Sequence, residues 1–539
     1  MNVIIVMSGG VGARFGADVP KQYNLIAGRP VIDYVLDAVD AAKKKDRVVI
    51  VMDQQWALYS SKIADGKYDM ACNGATRLES LYNGMTLVKE KYPCSKIVVV
   101  DAVAPMLEPD IIDEYFDRLD NYDAVITAQK ITGGFTDIED GLLDREKYII
   151  TQSPEGFRFD LLWNSFNINF LYQEIAGMLP KGSKRYYNYS FRYNLKITYN
   201  YELSYAEVML KNQGKVDLSS KKPFFDKRLL LTNGIKSFLL RREPEKTQRW
   251  IDAVYSDIPV LFKRWEIISF LPNQISRFGL VLQATSQKHG QMILKFIPDF
   301  VGRFERELEA MRVLPSSYMC HLIDAEENCN CMLLERISPA RFGSFEEKKK
   351  FTDLFKHVIE DAVLKTEKYQ LKYIPYYYNE LMDKLAHAET MPYCRELIEP
   401  ELVYAVDLYQ KVFADRENYI LHGDLHELNI LDNGKRFYGI DPNGMLGPIE
   451  LECVRFIRND VRNHPSVEFE HRFELLLSSF SQFVNIHRLV DIFIIDMAFC
   501  SFNSVFENEN PKETYDDLEL IRVAKKWKAN HPEQSISHE

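Results

Sequence analysis

Near the start of the chain, the apolar run Val3-Ile4-Ile5-Val6 leads into Ser8-Gly9-Gly10-Val11-Gly12-Ala13-Arg14-Phe15 and then Pro20-Lys21-Gln22-Tyr23. Small residues after a strand let backbone N–H groups approach phosphate oxygens with no Cβ in the way, and a following helix N-terminus adds a favourable dipole. Arg14 and Lys21 stand beside that loop, where they could neutralise charge developing on a phosphorus under attack. Taken alone, Gly9-Gly10-x-Gly12 is equally the signature of a tight strand-to-helix turn.

Far downstream lies a second cluster, His422-Gly423-Asp424-Leu425-His426-Glu427-Leu428-Asn429, followed by Ile440-Asp441-Pro442. Phosphorylation of a hydroxyl needs a carboxylate to orient the alcohol and accept its proton, together with oxygen ligands for the Mg2+ that bridges nucleotide phosphates. Asp424, Asn429 and Asp441 supply these groups. Each residue singly is also a common cap or turn former; the combination is the informative part.

The elements that must hold the first cluster are legible up to about residue 215. Val3–Val6, Val48–Val51, Ile97–Val100 and Ala124–Thr127 are short, β-branched and almost wholly apolar, as strands buried on both faces are, and helical patterns alternate with them. This predicts an α/β, doubly wound, mostly parallel sheet with helices on both faces. Ligands in such sheets sit beyond the carboxyl ends of the strands, where the glycine loop and Asp101 both fall. Residues 221–246 are charge-rich with two prolines and read as a linker between a domain at 1–220 and another at 247–530. Beyond it, Gly279–Gln283 and Gln291–Phe296 read as a strand pair around a polar turn. A helix is predicted from Phe304 to Leu314, with long amphipathic helices past Ser344. The polar tail after Asn530 reads as disordered.

With 539 residues, 46% hydrophobic and 27% charged, the chain has ordinary globular composition and exceeds one core. A formal charge of −11 disfavours non-specific binding to nucleic acid or an anionic membrane, so anionic substrates must meet local Lys and Arg. No apolar stretch approaches the roughly 20 residues of a membrane helix. With the Val3–Val6 run too short for a signal-peptide core, a cytoplasmic location is expected, and eight scattered cysteines without a CxxC pair predict reduced thiols.

The stretch from residue 1 to about 212 resembles the cytidylyltransferases of the methylerythritol-phosphate and ribitol-phosphate type. The loop Ser8, Gly9, Gly10, Gly12 with Arg14 matches that family's nucleotide loop, and Pro20-Lys21-Gln22-Tyr23 is its most distinctive tetrapeptide. Asn73-Gly74-Ala75-Thr76-Arg77-Leu78-Glu79-Ser80 matches the segment that holds cytidine, with Gly74, Arg77 and Ser80 on contact positions. Asp101 matches the acidic strand end at the metal and acceptor. Asp144-Arg145, then Ser153-Pro154, match the segment whose arginine grips the acceptor phosphate, and Lys196 matches the late lysine that joins Lys21 around the transition state. The resemblance implies attack of a substrate phosphate on the α-phosphorus of CTP, with Mg2+ bridging phosphate oxygens, and a homodimer through this domain. Two departures lie on the acceptor side: Ala104 stands where an arginine is usual, and Lys181 to Tyr189 replaces an acidic segment. Nucleotide binding thus looks retained around an altered acceptor pocket.

Residues from about 248 to 520 resemble the aminoglycoside phosphotransferase and choline kinase superfamily, nearest its streptomycin and hydroxyurea kinase branch, which implies a two-lobed, protein-kinase-like α+β domain. The resemblance makes Asp424 the catalytic base, Asn429 and Asp441 Mg2+ ligands, and Lys295 the partner of the ATP phosphates. It makes Glu307 the ion-pair partner of Lys295, with Glu305 and Glu309 as competitors, and places Glu335 in the Leu333–Ile337 adenine hinge. Together the two halves imply a bifunctional enzyme that phosphorylates a polyol or sugar with ATP and activates the ester with CTP for a cell-surface polymer. Two alternatives stand beside it. One is a choline or other amino-alcohol substrate, caged by tyrosines 186–193 and 373–378; the other is a catalytically inactive kinase-like scaffold.

Overall fold

The computed structural model describes the 539-residue chain except 11–14, 16–17, 140, 172–173, 217–223, 340, 365–370, 389–394, 414–417, 507–510 and 533–539. Arg14 and Gly12 of the first loop, and the polar tail from 533, therefore lie outside the described residues. The chain divides into two compact units, Met1–Phe296 and Ile297–Glu539.

The first unit is built on a seven-stranded sheet. Its strands are β1 (Asn2–Met7), β2 (Arg47–Met52), β3 (Asp69–Cys72), β4 (Lys96–Asp101), β5 (Ala124–Lys130), β6 (Ile149–Arg158) and β7 (Arg185–Asn188). Their spatial order is β7-β5-β6-β4-β1-β2-β3. Every neighbouring pair is parallel except those made by β6, which runs against both β4 and β5. The four apolar runs singled out in the sequence are the cores of β1, β2, β4 and β5. They are buried on both faces, which is why they carry no polar alternation.

Side-chain parity sends alternate residues of each strand to opposite layers. Ile4, Val6, Val98 and Val100 pack with α1 (Val31–Ala41) and α3 (Pro109–Arg118), while Val3, Ile5, Ile97, Val99 and Phe157 pack with α2 (Arg77–Lys91) and α4 (Phe159–Ser165). Each fully buried Val or Ile adds about 1.5–3 kcal/mol of hydrophobic stabilisation, so the two layers fix which strand ends face which helix.

The first unit continues past this sheet. The 224–246 stretch holds short helices anchored by buried Phe225, Leu230, Ile235 and Leu239. Its charged residues are interspersed with apolar ones, so it packs instead of spanning a gap. Then come α5 (Pro244–Arg264) and the antiparallel strands β8 (Ile267–Pro272), β9 (Leu280–Ser286) and β10 (Gly290–Phe296), the last two forming the anticipated strand pair. Ile268 joins the core of the first sheet, and Phe270 packs on Tyr59 with ring centroids 5.7 Å apart.

The second unit starts with α6 (Phe304–Val313) and the hairpin β11 (Leu322–Glu326) and β12 (Cys331–Glu335). Short strands β13 (Tyr419–Leu421), β14 (Ile430–Asp432), β15 (Phe437–Gly439) and β16 (Met445–Gly447) frame the His422 loop. Helices α7 (Glu450–Arg462) and α8 (Ile486–Phe506) pack behind it. Among the described residues no helix is long and apolar enough to cross a membrane.

Candidate nucleotide sites

The loop after β1 is held from behind by the tetrapeptide that follows it. Gln22 donates through Nε2 to the carbonyls of Ser8 (2.6 Å) and Gly10 (3.1 Å), and the Tyr23 hydroxyl pairs with Ser8 Oγ at 3.0 Å. Both side chains are buried. Carbonyls engaged on the protein side are not presented to an incoming phosphate, which suits an anion site. Close packing fixes the glycine at position 9, because a Cβ there would stand 2.4 Å from Asn73 Cβ, whereas a Cβ on Gly10 meets nothing within 4 Å.

The Gly74 segment forms the entry to α2. Thr76 caps the helix by accepting from Glu79 N (3.1 Å), and the Glu79 carboxylate accepts from Ala75 N (2.7 Å), a variant of the capping box. Gly74 N donates to Ser80 Oγ at 2.9 Å. Arg77, the first helical residue, is thereby aimed at the end of β4.

Four charged side chains converge there. Asp101 is 6% exposed. One carboxylate oxygen accepts from Lys196 Nζ at 2.7 Å, and the other lies 3.4 Å from Arg77 Nη2. Arg77 Nη2 also lies 3.7 Å from Glu155 Oε2. Burial pushes the Asp101 carboxyl up, but Arg77 and Lys196 outweigh it and hold it below its ordinary value. Burial, reinforced by the nearby Asp101 and Glu174 charges, outweighs Arg77 and the Ile175 backbone at Glu155, which is pushed up to about 7. Lys21 Nζ donates to the carbonyl of Ile197 at 2.8 Å, which ties the first loop to the segment carrying Lys196. Ser153 and Asn194 brace the floor: Asp101 N–H donates to Ser153 Oγ (2.7 Å), and Asn194 Nδ2 donates to the Ser153 carbonyl (2.6 Å).

Ser8, Gly9, Gly10, Lys21, Gly74, Arg77, Ser80, Asp101 and Lys196 are thus gathered at the carboxyl ends of the strands. Arg145 is placed otherwise: exposed on the loop between β5 and β6, it donates to the carbonyls of Thr132 (2.7 Å) and Gly133 (3.4 Å). Sequence reasoning quoted Gln22, Tyr23 and Ser153 inside matched motifs but gave them no role, and it assigned none to Asn194 or Glu155. For Glu155 the available signal was an acid inside a strand whose neighbours are buried.

In the second unit, His422 is fully buried and organises its loop. It donates from Nε2 to the Ile440 carbonyl (2.8 Å) and accepts at Nδ1 from Asp424 N (3.3 Å), so it is the neutral tautomer, and burial pushes its pKa down to about 4. Glu452 on α7 accepts from the N–H groups of His422 and Gly423. Asn429 Nδ2 donates to the Asp424 carbonyl (2.9 Å), and Ile440 N donates to the Asn429 carbonyl (2.9 Å), which brings Asp424, Asn429 and Asp441 to one place. Asp441 adopts φ +57°, the left-handed conformation few non-glycine residues take. Burial pushes the Asp424 carboxyl up, but His426, with Nε2 at 3.7 Å, and the charges of Arg455 and Arg458 hold it well below the usual range. These oxygen donors, like Asp101, are of the hard type that suits Mg2+ shared with nucleotide phosphates.

Lys295 and Glu307 are buried, each within its own unit. Glu309 accepts from the N–H groups of Lys372, Tyr373 and Ile374, and so is engaged within the second unit. Glu335 Oε2 accepts from His321 N at 3.1 Å. Of the tyrosines considered for a cation cage, Tyr186 is covered by the Arg118 guanidinium at 4.4 Å, and Tyr377 is buried with its hydroxyl on Asp496 at 2.9 Å.

Residues 2–212 match the family model of 2-C-methyl-D-erythritol 4-phosphate cytidylyltransferase, IspD. The enzyme of that name from Dechloromonas aromatica is 30% identical over 227 residues, which is 38% of this chain and 96% of that protein. The bifunctional ribulose 5-phosphate reductase/CDP-ribitol pyrophosphorylase Bcs1 of Haemophilus influenzae is 27% identical over 178 residues, 31% of this chain and 38% of that protein's length. Among solved structures, the 4-diphosphocytidyl-2C-methyl-D-erythritol synthase of Anaerococcus prevotii aligns at 19% identity with a TM-score of 0.35, covering 39% of this chain and 96% of that one.

Proposed function

Through residues 2–212 the chain belongs to the 2-C-methyl-D-erythritol 4-phosphate cytidylyltransferase family, and from this premise we propose a bifunctional enzyme that makes a CDP-activated polyol or sugar. The N-terminal half is a cytidylyltransferase. Its acceptor, on our reading, is a polyol or sugar phosphate formed from the free alcohol and ATP at the Asp424 site. The observation that carries the cytidylyl transfer is the convergence of Arg77 and Lys196 on the buried Asp101 carboxylate, with Lys21 bound to the Ile197 carbonyl next to Lys196. Such a step needs little covalent work from the protein; holding two anionic reactants in line and offsetting the charge on the α-phosphorus supplies most of the rate. Arg14, Lys21 and Lys196 would take that role, the loop N–H groups and Ser80 would hold the nucleotide, and Asp101 would hold Mg2+, which would supply charge neutralisation to phosphate oxygens.

For the acceptor, Ala104 and the basic 181–189 segment favour a substrate other than methylerythritol phosphate, and the likeness to a CDP-ribitol pyrophosphorylase favours a polyol. An amino alcohol is disfavoured because Tyr186 already faces a guanidinium and Tyr377 is buried. For the phosphorylation that supplies this acceptor, the joined Asp424, Asn429 and Asp441 support an alcohol phosphotransferase in which Asp424 would accept the hydroxyl proton and the other two would hold Mg2+. Glu307 and Glu335 would serve ATP and Arg145 the acceptor phosphate, and a cytoplasmic location is part of the same reading. The functional division at 1–220 and 247–530 belongs to the same proposal, with cell-surface polysaccharide as the destination of the product.

The test incubates the full chain with ATP, CTP, Mg2+ and a panel of polyols, ketoses and amino alcohols, reading CDP-linked products by mass. A new CDP-polyol is expected; Lys21→Ala abolishes diphosphate release and spares ADP formation, and Asp424→Asn does the reverse. Turnover of ribitol 5-phosphate with CTP, but no ADP from any alcohol, would remove the kinase half and leave the cytidylyltransferase standing.

A further inference from the structure

Glu155 sits where the antiparallel strand β6 crosses the sheet, opposite Val99 on β4 and Ile126 on β5, just after a break in register between Gln152 and Glu155. It is 5% exposed, and its parity with Phe157 sends it to the same layer as Asp101 and the start of α2. A carboxyl in that layer displaces apolar volume and costs desolvation, so it needs a compensating partner. The partner is Arg77, which stands between two carboxyls on neighbouring strands.

The distances show how the guanidinium is shared. An unopposed arginine and carboxylate close to about 2.7–2.9 Å, often with two parallel bonds. Here Arg77 Nη2 is 3.4 Å from Asp101 Oδ1 and 3.7 Å from Glu155 Oε2, short of a full pair with either. Glu155 Oε1 is buried and makes no hydrogen bond among the described residues. Asp101 keeps its other oxygen on Lys196.

We infer that Glu155 is a positioning residue for nucleotidyl transfer, a buried counter-carboxylate that draws Arg77 away from a closed pair with Asp101. Without that pull, Arg77 collapses onto Asp101 in bidentate fashion. The cation is then withdrawn from the nucleotide, and the Asp101 oxygens are withdrawn from the metal and acceptor. The inference rests on the cytidylyltransferase reading of this site and adds to it a residue that acts only through Arg77.

The experiment is calorimetric titration of the full chain with CTP and Mg2+, using Glu155→Gln, Arg77→Lys and the double variant, with thermal midpoints recorded alongside. Glu155→Gln keeps the shape and removes the charge. It should weaken CTP by about tenfold, the scale of one hydrogen bond to a charged group, while Glu155→Asp recovers part of the loss. Arg77→Lys should weaken CTP similarly, and the double variant should bind no worse than Arg77→Lys alone, because both act through one guanidinium. Unchanged affinity in Glu155→Gln would overturn the inference, as would a double variant whose loss is the product of the two single losses. Should Glu155→Gln fail to fold, Glu155→Asp in the Arg77→Lys background carries the same comparison. Failure of the unaltered chain to bind CTP at all would strike the cytidylyltransferase reading first, and Glu155 with it.

Discussion

Two aspartates of the first unit are buried to nearly the same degree and meet opposite fates. Asp101 has a guanidinium and an ammonium beside it and stays below its ordinary value. Asp33 on α1 receives the Ser60 hydroxyl at 2.5 Å, its Oδ2 makes no hydrogen bond among the described residues, and burial pushes it up to about 7 from an ordinary 3.8. A carboxyl whose folded-state pKa is raised binds its proton more tightly when folded. Its stabilising contribution is complete below about pH 4 and is lost as the pH climbs through about 7. Asp33→Asn cannot ionise and escapes that loss. The thermal midpoint of Asp33→Asn relative to the unaltered chain should therefore rise between pH 5 and pH 8, and a difference independent of pH would refute the assignment. The same contrast explains why Asp101 could be singled out from sequence as an acid at a strand end, while its ionisation could not: that depends on Arg77 and Lys196, which lie 24 and 95 positions away.

At the scale of elements, the loop after β1 is a steric and an electrostatic device at once, and adjacent glycines separate the two. A methyl group at position 9 drives into Asn73, while one at position 10 enters open space. Gly9→Ala should lower both the thermal midpoint and CTP affinity. Gly10→Ala should leave the midpoint within a degree or two and lower CTP affinity alone, as a Cβ placed between backbone N–H groups and a phosphate does. Equal melting losses in the two variants would mean that the loop is only a turn. The four buried strands, the β9 and β10 pair and the helix at Phe304 were legible beforehand because burial on two faces and helical periodicity are local patterns. Gln22 was not, since nothing local says that its amide turns back to the carbonyls of Ser8 and Gly10. Glu452 was hidden for a similar reason, an acid within an amphipathic helix whose backbone partners lie 29 and 30 residues earlier.

At the scale of the whole molecule, the first compact unit reaches beyond the cytidylyltransferase sheet to Phe296. Phe270 on β8 packs on Tyr59, Phe225 and Phe262 with ring centroids 5.7, 4.9 and 5.2 Å away, and Tyr59 lies 6.0 Å from Tyr23, whose hydroxyl meets Ser8. Truncating such a residue costs about 3–5 kcal/mol. Phe270→Ala should therefore lower the first melting transition of the full chain and weaken CTP binding, although the residue lies outside the stretch matched to the family. A melting loss with unaltered CTP affinity would show that the aromatic chain supports stability without reaching the nucleotide loop.

Sequence by itself determined which stretches are strands buried on both faces and where the cytidylyltransferase loop lies, because strand hydrophobicity, glycine placement and motif spacing are read from neighbours along the backbone. Only the tertiary structure decided that Arg77 is divided between two carboxyls, that Arg145 donates to carbonyls of its own loop, and that residues 224–296 belong to the first compact unit. Those outcomes depend on groups far apart in sequence competing for the same buried partner, and such competition is resolved only when the chain is packed.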